Sequence, residues 1–362
     1  HIVPDLTVEE EYTDNFYRAE RRPTAVWITR VSPGFNMQGL TERSRLELNY
    51  HFNYYWYNDV NGAADTSELN YPGHDLDLYA ATQLTSKLKL GLNENFILTR
   101  EPAYSDMYSQ IVSPDKYLRN RVTPALTYDI AEKGEVKLAY RNEYLSYLQP
   151  TVPSHEDSLE NRGILTLTYH LNSTNHLDLE NQYWRRDYEG DINSGYDSYQ
   201  ALLIFRREFS SYLEGHAGAG YHHRDFFQSQ LSNINMFAYS IGLTGHTERS
   251  KLFVSFDHNL NDFTVSDQYF SAYLFKVMGE HLFLDRIRAY VGGFYQYSRY
   301  FDSPRRDDYW NATVGLGYLF FDKRLELSVE YDRNDRNSNQ PGYSYVENQV
   351  YFRVAARHDF GK

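Results

Sequence analysis

The chain has 362 residues, with 36 Lys and Arg against 49 Asp and Glu for a formal net charge of −13, no Cys, and 17% aromatic residues, including 35 Tyr, 21 Phe and 4 Trp. No stretch approaches the roughly 18 to 20 consecutive apolar residues of a spanning helix, so a helical membrane protein is excluded. Absence of Cys rules out disulfide staples, thiolate metal sites and cysteine catalysis, and fits export through an oxidising periplasm.

No positively charged, apolar leader stands at His1, as expected of a mature chain after signal removal or of one supplied without it. A first strand is expected around Asp5 to Tyr17, although the run Glu9-Glu10-Glu11 breaks its alternation. In the second strand Pro33 has no amide to donate and Gly34 weakens the strand, so the pair is expected to mark a bulge, a bend or the rim end. The third is the most telling. Leu46, Leu48, Tyr50, Phe52, Tyr54 and Trp56 alternate without a break with Arg45, Glu47, Asn49, His51, Asn53 and Tyr55. Strands of soluble sandwiches usually span about 5 to 6 residues, whereas a tilted transmembrane strand needs about 9 to 11.

The same period of two recurs further along. Leu177 and Leu179 alternate with His176, Asp178, Glu180 and Gln182; Leu325, Leu327, Val329 and Tyr331 with Arg324, Glu326, Ser328 and Glu330. At the end, Val346, Val350, Phe352, Val354 and Ala356 alternate with Glu347, Gln349, Tyr351, Arg353 and Arg357. Periodicity alone fits both a soluble sandwich and a membrane barrel. The Tyr excess suits the interfacial girdles of an outer-membrane barrel, where an apolar ring and a polar hydroxyl each find their medium.

The links decide between them. Short links are expected at about 38–44, 84–87, 131–135, 171–175, 208–211, 246–250, 278–284 and 321–324. Longer ones, rich in Asp, Asn, Ser, Pro and Gly, are expected at about 18–24, 58–74, 100–115, 149–157, 188–196, 224–231, 259–266, 300–308 and 333–343. Short and long alternate as periplasmic turns and extracellular loops do in bacterial barrels. The reading is an all-β fold: a transmembrane antiparallel up-and-down barrel of 18 strands, with 16 as the alternative, using residues 1–362 as a single domain. Both termini fall on the short-turn side. Phe352, Val354, Ala356, His358 and Phe360 share one phase, similar to the aromatic-terminated signal read by barrel-assembly machinery, and the trailing Gly361 and Lys362 depart from it.

A barrel of this size leaves an aqueous channel unless loops fold inward. Transport is the default function. The segment Val8-Glu-Glu-Glu-Tyr-Thr-Asp-Asn15, then Arg30-Val-Ser-Pro-Gly-Phe35, then the aromatic strand from Leu46 to Trp56, resembles the beta-barrel porin family whose members lie in bacterial exopolysaccharide gene clusters. That resemblance implies a multi-pass barrel in the bacterial outer membrane assisting secretion of a surface exopolysaccharide. It also implies periplasmic polysaccharide-export and co-polymerase partners and brings no catalytic residues. Outer-membrane lipid and lipopolysaccharide are expected around the barrel, with no cofactor, metal or nucleic acid.

Strand phase places Arg45, Glu47, His51, Arg119, Arg121, Arg141, Arg162, Glu180, Trp184, Tyr351 and Arg353 on the lumenal face as the expected substrate-binding set. Lipid-facing Arg or Lys would cost about 2–4 kcal/mol at the midplane, so these should point inward or lie at the rims. Functionally, Arg would attract an acidic glycan while Trp184 and Tyr351 slide along sugar rings. Structurally, many would pair across strands and hold the wall. Loop acids, Asp59, Asp65, Glu68, Asp75, Glu101, Asp106, Glu156, Asp157, Asp191, Asp307 and Asp308, carry much of the net charge and read as solvated carboxylates, with calcium binding or cation bridging to lipopolysaccharide as the alternative.

Catalysis finds little support. No Gly-x-Ser-x-Gly, His-Glu-x-x-His or Walker pattern appears, and His222 and His223, being adjacent on a strand, point to opposite faces. Beside the secretion conduit stand two other readings: a diffusion porin or oligosaccharide uptake channel, with the link at 58–74 or 100–115 as a constriction, and a noncatalytic surface lectin or scaffold.

Overall fold

The computed structural model describes residues 1–60, 66, 69–100, 115–131, 133–148, 157–191, 193–228, 231–263, 268–301 and 303–359. Its elements are β1 (Ile2–Thr13), β2 (Val26–Leu40), β3 (Ser44–Asp59), β4 (Tyr71–Gln83), β5 (Leu88–Thr99), β6 (Lys116–Ala131), β7 (Gly134–Leu148), β8 (Ser158–His170) and β9 (Asn175–Tyr188), followed by β10 (Tyr196–Ser210), β11 (Leu213–Phe226), β12 (Ile234–His246), β13 (Ser250–Phe263), β14 (Gln268–Phe283), β15 (Ile287–Tyr300), β16 (Arg306–Phe320), β17 (Leu325–Ser338) and β18 (Tyr345–Arg357). Each strand is antiparallel to the next, and β1 also pairs with β18, setting Asp5 opposite Arg357 and Thr13 opposite Gln349. The sheet is therefore a closed 18-strand barrel, as expected, and it has no bare edge.

Links 41–43, 84–87, 132–133, 171–174, 211–212, 247–249, 284–286 and 321–324 form one rim, where His1 donates to Gln38 and the His358 amide to Pro4. The other rim carries the longer links, of which 264–267 is as brief as the turns opposite. Residues 61–65, 67–68 and 101–114, which include most of the expected constriction loops, lie outside the described residues, as do Glu156 and Phe360.

The expected turn at 278–284 is corrected. β14 runs on through Gly279 to Phe283, and the chain reverses at Leu284 and Asp285, both in the left-handed region with φ of 51° and 57°. Arg286 N–H closes the hairpin onto the Phe283 carbonyl at 3.0 Å. Tight hairpins need this handedness and favour Asn and Gly there, so a turn built on Leu-Asp carries none of the usual signals.

Which face is apolar identifies the medium. Leu138, Val291, Val314 and Phe352 point outward and are 56%, 61%, 54% and 51% exposed, whereas Glu9, Glu143, Glu160 and Asp307 point inward and are buried. A soluble protein would have the reverse; apolar side chains outside and charges inside belong to a barrel in lipid. The outward hydroxyls of Tyr221 and Tyr295, in the half nearer the long-link rim, and of Tyr140 and Tyr331, near mid-strand, donate to Asn235, Asp308, Asn161 and Asn348 on the neighbouring strands. Each ring lies against the apolar wall with its hydroxyl aimed toward the polar rim, as in an aromatic girdle.

Pro33-Gly34 does not mark a bulge or a rim. Both sit in mid-strand: Leu6 faces Pro33 and Asp5 faces Gly34, while the β2–β3 ladder skips Ser32 and Pro33 without changing register. Proline supplies no amide there, and the gap is absorbed locally. Gly34 has its own reason. A Cβ would come within 2.2 Å of His51 Cδ2, and that ring bonds Asp5 at 2.9 Å, where Asn36 also donates at 3.1 Å. Gly34→Ala should therefore displace His51 from Asp5 and cost about 1–3 kcal/mol. Urea unfolding from lipid vesicles would read this as a lower midpoint, and an unchanged midpoint would refute the close approach.

Candidate functional site

The lumen is the candidate site, and its wall is divided by charge. On β6–β9, Arg119, Arg121, Arg141, Arg162 and Arg186 point inward in company with three buried carboxylates, Glu143, Glu160 and, nearer the short turns, Asp178, which accepts from Thr168 and from Arg206 of β10. Glu160 accepts from Arg141 at 2.6 Å, Arg162 at 2.9 Å and Arg186 at 2.8 Å, while Glu143 accepts from Arg121 and, at 3.2 Å, from Arg186. Removing a charge from water costs several kcal/mol, which only a saturated set of partners offsets. Arg162 also bonds Gln182 at 2.8 Å and stacks 4.0 Å over Trp184.

An acidic arc runs through β17, β18 and β1, with Glu330 and Asp332, then Glu347, then Glu9 and Glu11. Arg353 bridges Glu9 and Glu330, Arg30 reaches Glu9 at 2.9 Å, and Gln349 donates to Glu11 at 2.8 Å. Arg18, from the link before β2, bonds Glu347 at 2.8 Å. Burial alone would lower the Arg18 pKa, but Glu347 with Tyr345 and Tyr309 raises it well above the ordinary guanidinium value. Four strands separate this arc from β6–β9 on one side and seven on the other, so the two arcs face each other across the lumen.

Elsewhere near the long-link rim the interior is filled. Asp307, expected in a solvated loop, instead lies in β16 and accepts from Arg305 and Arg336, all three fully buried, with Tyr300 and Tyr343 against the Arg305 guanidinium at 4.3 and 3.7 Å. Trp184, Tyr196, Phe226, Ile234, Leu260 and Tyr269 form a second packed mass inside β9–β14. Open space remains beside the acidic arc: a cavity of about 480 Å³ lined by Glu9, Glu11, Arg30, His51, Asp75, Arg119, Glu330, Asp332, Tyr351 and Arg353, among others. Towards the short-turn rim lies another of about 690 Å³, lined by Asp5, Arg249, Lys251, Glu280, Arg288, Glu326 and Arg357 among others. Both share Thr7 and His51, which makes them two stretches of one lumenal surface.

Among the residues expected from sequence, His51, Arg119, Tyr351 and Arg353 come together on the smaller cavity. Arg45 and Glu47 pair with each other nearer the short turns, and Arg121 is tied to Glu143. Arg141 and Arg162 are held in the buried lattice around Glu160, and Glu180 accepts from Gln182 at 2.6 Å. Trp184 is corrected: at 4% exposure and covered by Arg162, it offers no open face to a sugar ring. Sequence reasoning missed Glu9, Glu11, Arg30 and Asp332, and it placed Asp75 in a solvated loop, whereas Asp75 lies in β4 opposite His51 and lines the smaller cavity. The three consecutive glutamates hid the phase of β1, in which Glu9 and Glu11 point inward while Glu10 points outward and accepts from Thr29 at 2.7 Å. As expected, His222 and His223 part company, the first buried against Asn259 and the second bonded outside to Asn235 and Asp225.

Residues 157–358 match the family described as Putative beta-barrel porin 2. Among solved structures, outer membrane protein OpdK of Pseudomonas aeruginosa is similar over 99% of this chain and 98% of its own, with a TM-score of 0.52 and 12% identity. OccAB4 of Acinetobacter baumannii gives the same coverage, identity and TM-score, and OccK9 (OpdG) of P. aeruginosa the same coverage and identity with a TM-score of 0.53. Among curated proteins, none matches. These findings correct the expected role in exopolysaccharide secretion: the matching family is one of porins and the whole-chain likeness is one of fold, which favours the diffusion-porin alternative, and none of the matches points to polysaccharide-export partners.

Proposed function

Because the chain belongs to the Putative beta-barrel porin 2 family and is a multi-pass β-barrel of the bacterial outer membrane, we propose that it is a diffusion porin passing small polar solutes across that membrane. The observation that carries this reading is the continuous lumenal surface joined at Thr7 and His51. Arginines on one arc and carboxylates on the other would set up a field across the path. In a low-dielectric wall such a field orients water and dipolar solutes and disfavours apolar ones. Contacts of this kind are weak enough for a solute to leave as well as enter.

The smaller cavity also suggests a charge preference. Five carboxylates, Glu9, Glu11, Asp75, Glu330 and Asp332, line it against three arginines, Arg30, Arg119 and Arg353, leaving two formal negative charges. Cations should therefore be favoured there. Purified protein in a planar bilayer with a KCl gradient should show open conductance and a reversal potential of cation-selective sign. Asp75→Asn combined with Asp332→Asn should move that potential toward anions. A silent bilayer containing verifiably inserted protein would overturn the porin reading and leave the surface-scaffold alternative.

A further inference from the structure

Two pairs of arginines stand directly opposite each other on neighbouring strands: Arg141 with Arg162 and Arg299 with Arg306. Like charges in that position repel. Inside the barrel the conflict is resolved by Glu160, which accepts from both Arg141 and Arg162. Outside it is not. Arg299 and Arg306 are exposed on the outer wall of β15 and β16, and among the described residues neither side chain has a carboxylate partner. The nearest outward acid on these strands, Asp308, already accepts from Tyr295.

Their height on the wall tells what would meet them. The pair lies two residues beyond Tyr297 and Asp308, and four beyond Tyr295 and Trp310, toward the long-link rim. It therefore stands just past the girdle, at headgroup level, above the exposed Val291 and Val314. The outer leaflet of this membrane is built from lipopolysaccharide, whose lipid A carries phosphate groups at that depth. Paired guanidinium forks match phosphate oxygens, and a phosphate between them would replace the missing carboxylate. We propose that Arg299 and Arg306 bind a phosphate group of lipid A, with its acyl chains along the apolar wall below. This rests on the outer-membrane location and not on the channel reading.

The test compares wild type, Arg299→Gln/Arg306→Gln and Arg299→Lys/Arg306→Lys in detergent, with lipid A, dephosphorylated lipid A and inorganic phosphate as probes. Native mass spectrometry and thermal unfolding should show lipid A bound about tenfold more weakly by the Gln variant, and less weakened in the Lys variant. Dephosphorylated lipid A should bind wild type no better than it binds the Gln variant. Without lipid the Gln variant should unfold at the same or a higher temperature, because a repulsion has been removed, and its conductance should equal that of wild type. Equal lipid A binding by wild type and the Gln variant would overturn the site. Inorganic phosphate bound as tightly as lipid A would overturn its assignment to a lipid.

Discussion

Glu160→Gln is expected to lower the free energy of unfolding by about 3–5 kcal/mol, measured by urea titration of protein refolded into lipid vesicles. The isosteric amide keeps the volume but deletes the one charge shared by Arg141, Arg162 and Arg186. Glu160 is 1% exposed, so water cannot take its place. Three guanidinium groups would then depend on Glu143, which already serves Arg121 and Arg186. A double variant, Glu160→Gln with Arg162→Met, should recover part of the loss, since it also removes one of the stranded cations. If Glu160→Gln is neutral, the lattice is not a structural unit and its arginines are solvated more freely than their burial indicates.

Val314→Arg should cost about 2–4 kcal/mol in the same assay, while Thr313→Arg, one residue away, should stay within about 1 kcal/mol. Both lie near the middle of β16, but Val314 is 54% exposed on the outer wall and Thr313 faces the lumen opposite Asp332. An arginine at 314 would be forced into hydrocarbon; at 313 it would find water and a carboxylate. Equal costs would contradict the assignment of inner and outer faces on this strand. Because the residues are adjacent, propensity and position along the strand are nearly matched, and the medium is the variable that differs.

Much of this architecture was legible from residue order. From Arg45 to Trp56 the alternation is uninterrupted because one row faces lipid and the other the barrel interior along the whole strand, so chemistry and geometry share a period. Short and long links separate for an equally direct reason: hairpins on one rim need only reverse the chain. Reading failed where a local signal was absent or ambiguous. Leu284 and Asp285 adopt a conformation usually left to Asn and Gly, and Gly279 drew the turn toward itself. Glu9, Glu10 and Glu11 offer no contrast between faces, so the inward acids of β1, central to the lumenal cavity, went unread. Phase could place Trp184 on the inner wall but not show that neighbouring side chains bury it, because interior filling depends on which strands approach across the lumen.

Seventeen of the eighteen ladders join neighbours in sequence; the remaining one joins Asp5 to Arg357 and its companions. Each of the seventeen is a hairpin-like event whose partners are close at hand, whereas the last must wait for nearly the whole polypeptide. By chain statistics, closing a loop of about 350 residues costs only roughly 2 kcal/mol more than closing one of about 30, a modest thermodynamic difference. Kinetically it is another matter, because until that ladder forms the sheet has two raw margins, each able to pair with a foreign strand. Arg353 reaching Glu9 across the seam thus ties the finishing stitch, and the wait that precedes it is the interval in which both margins stand open.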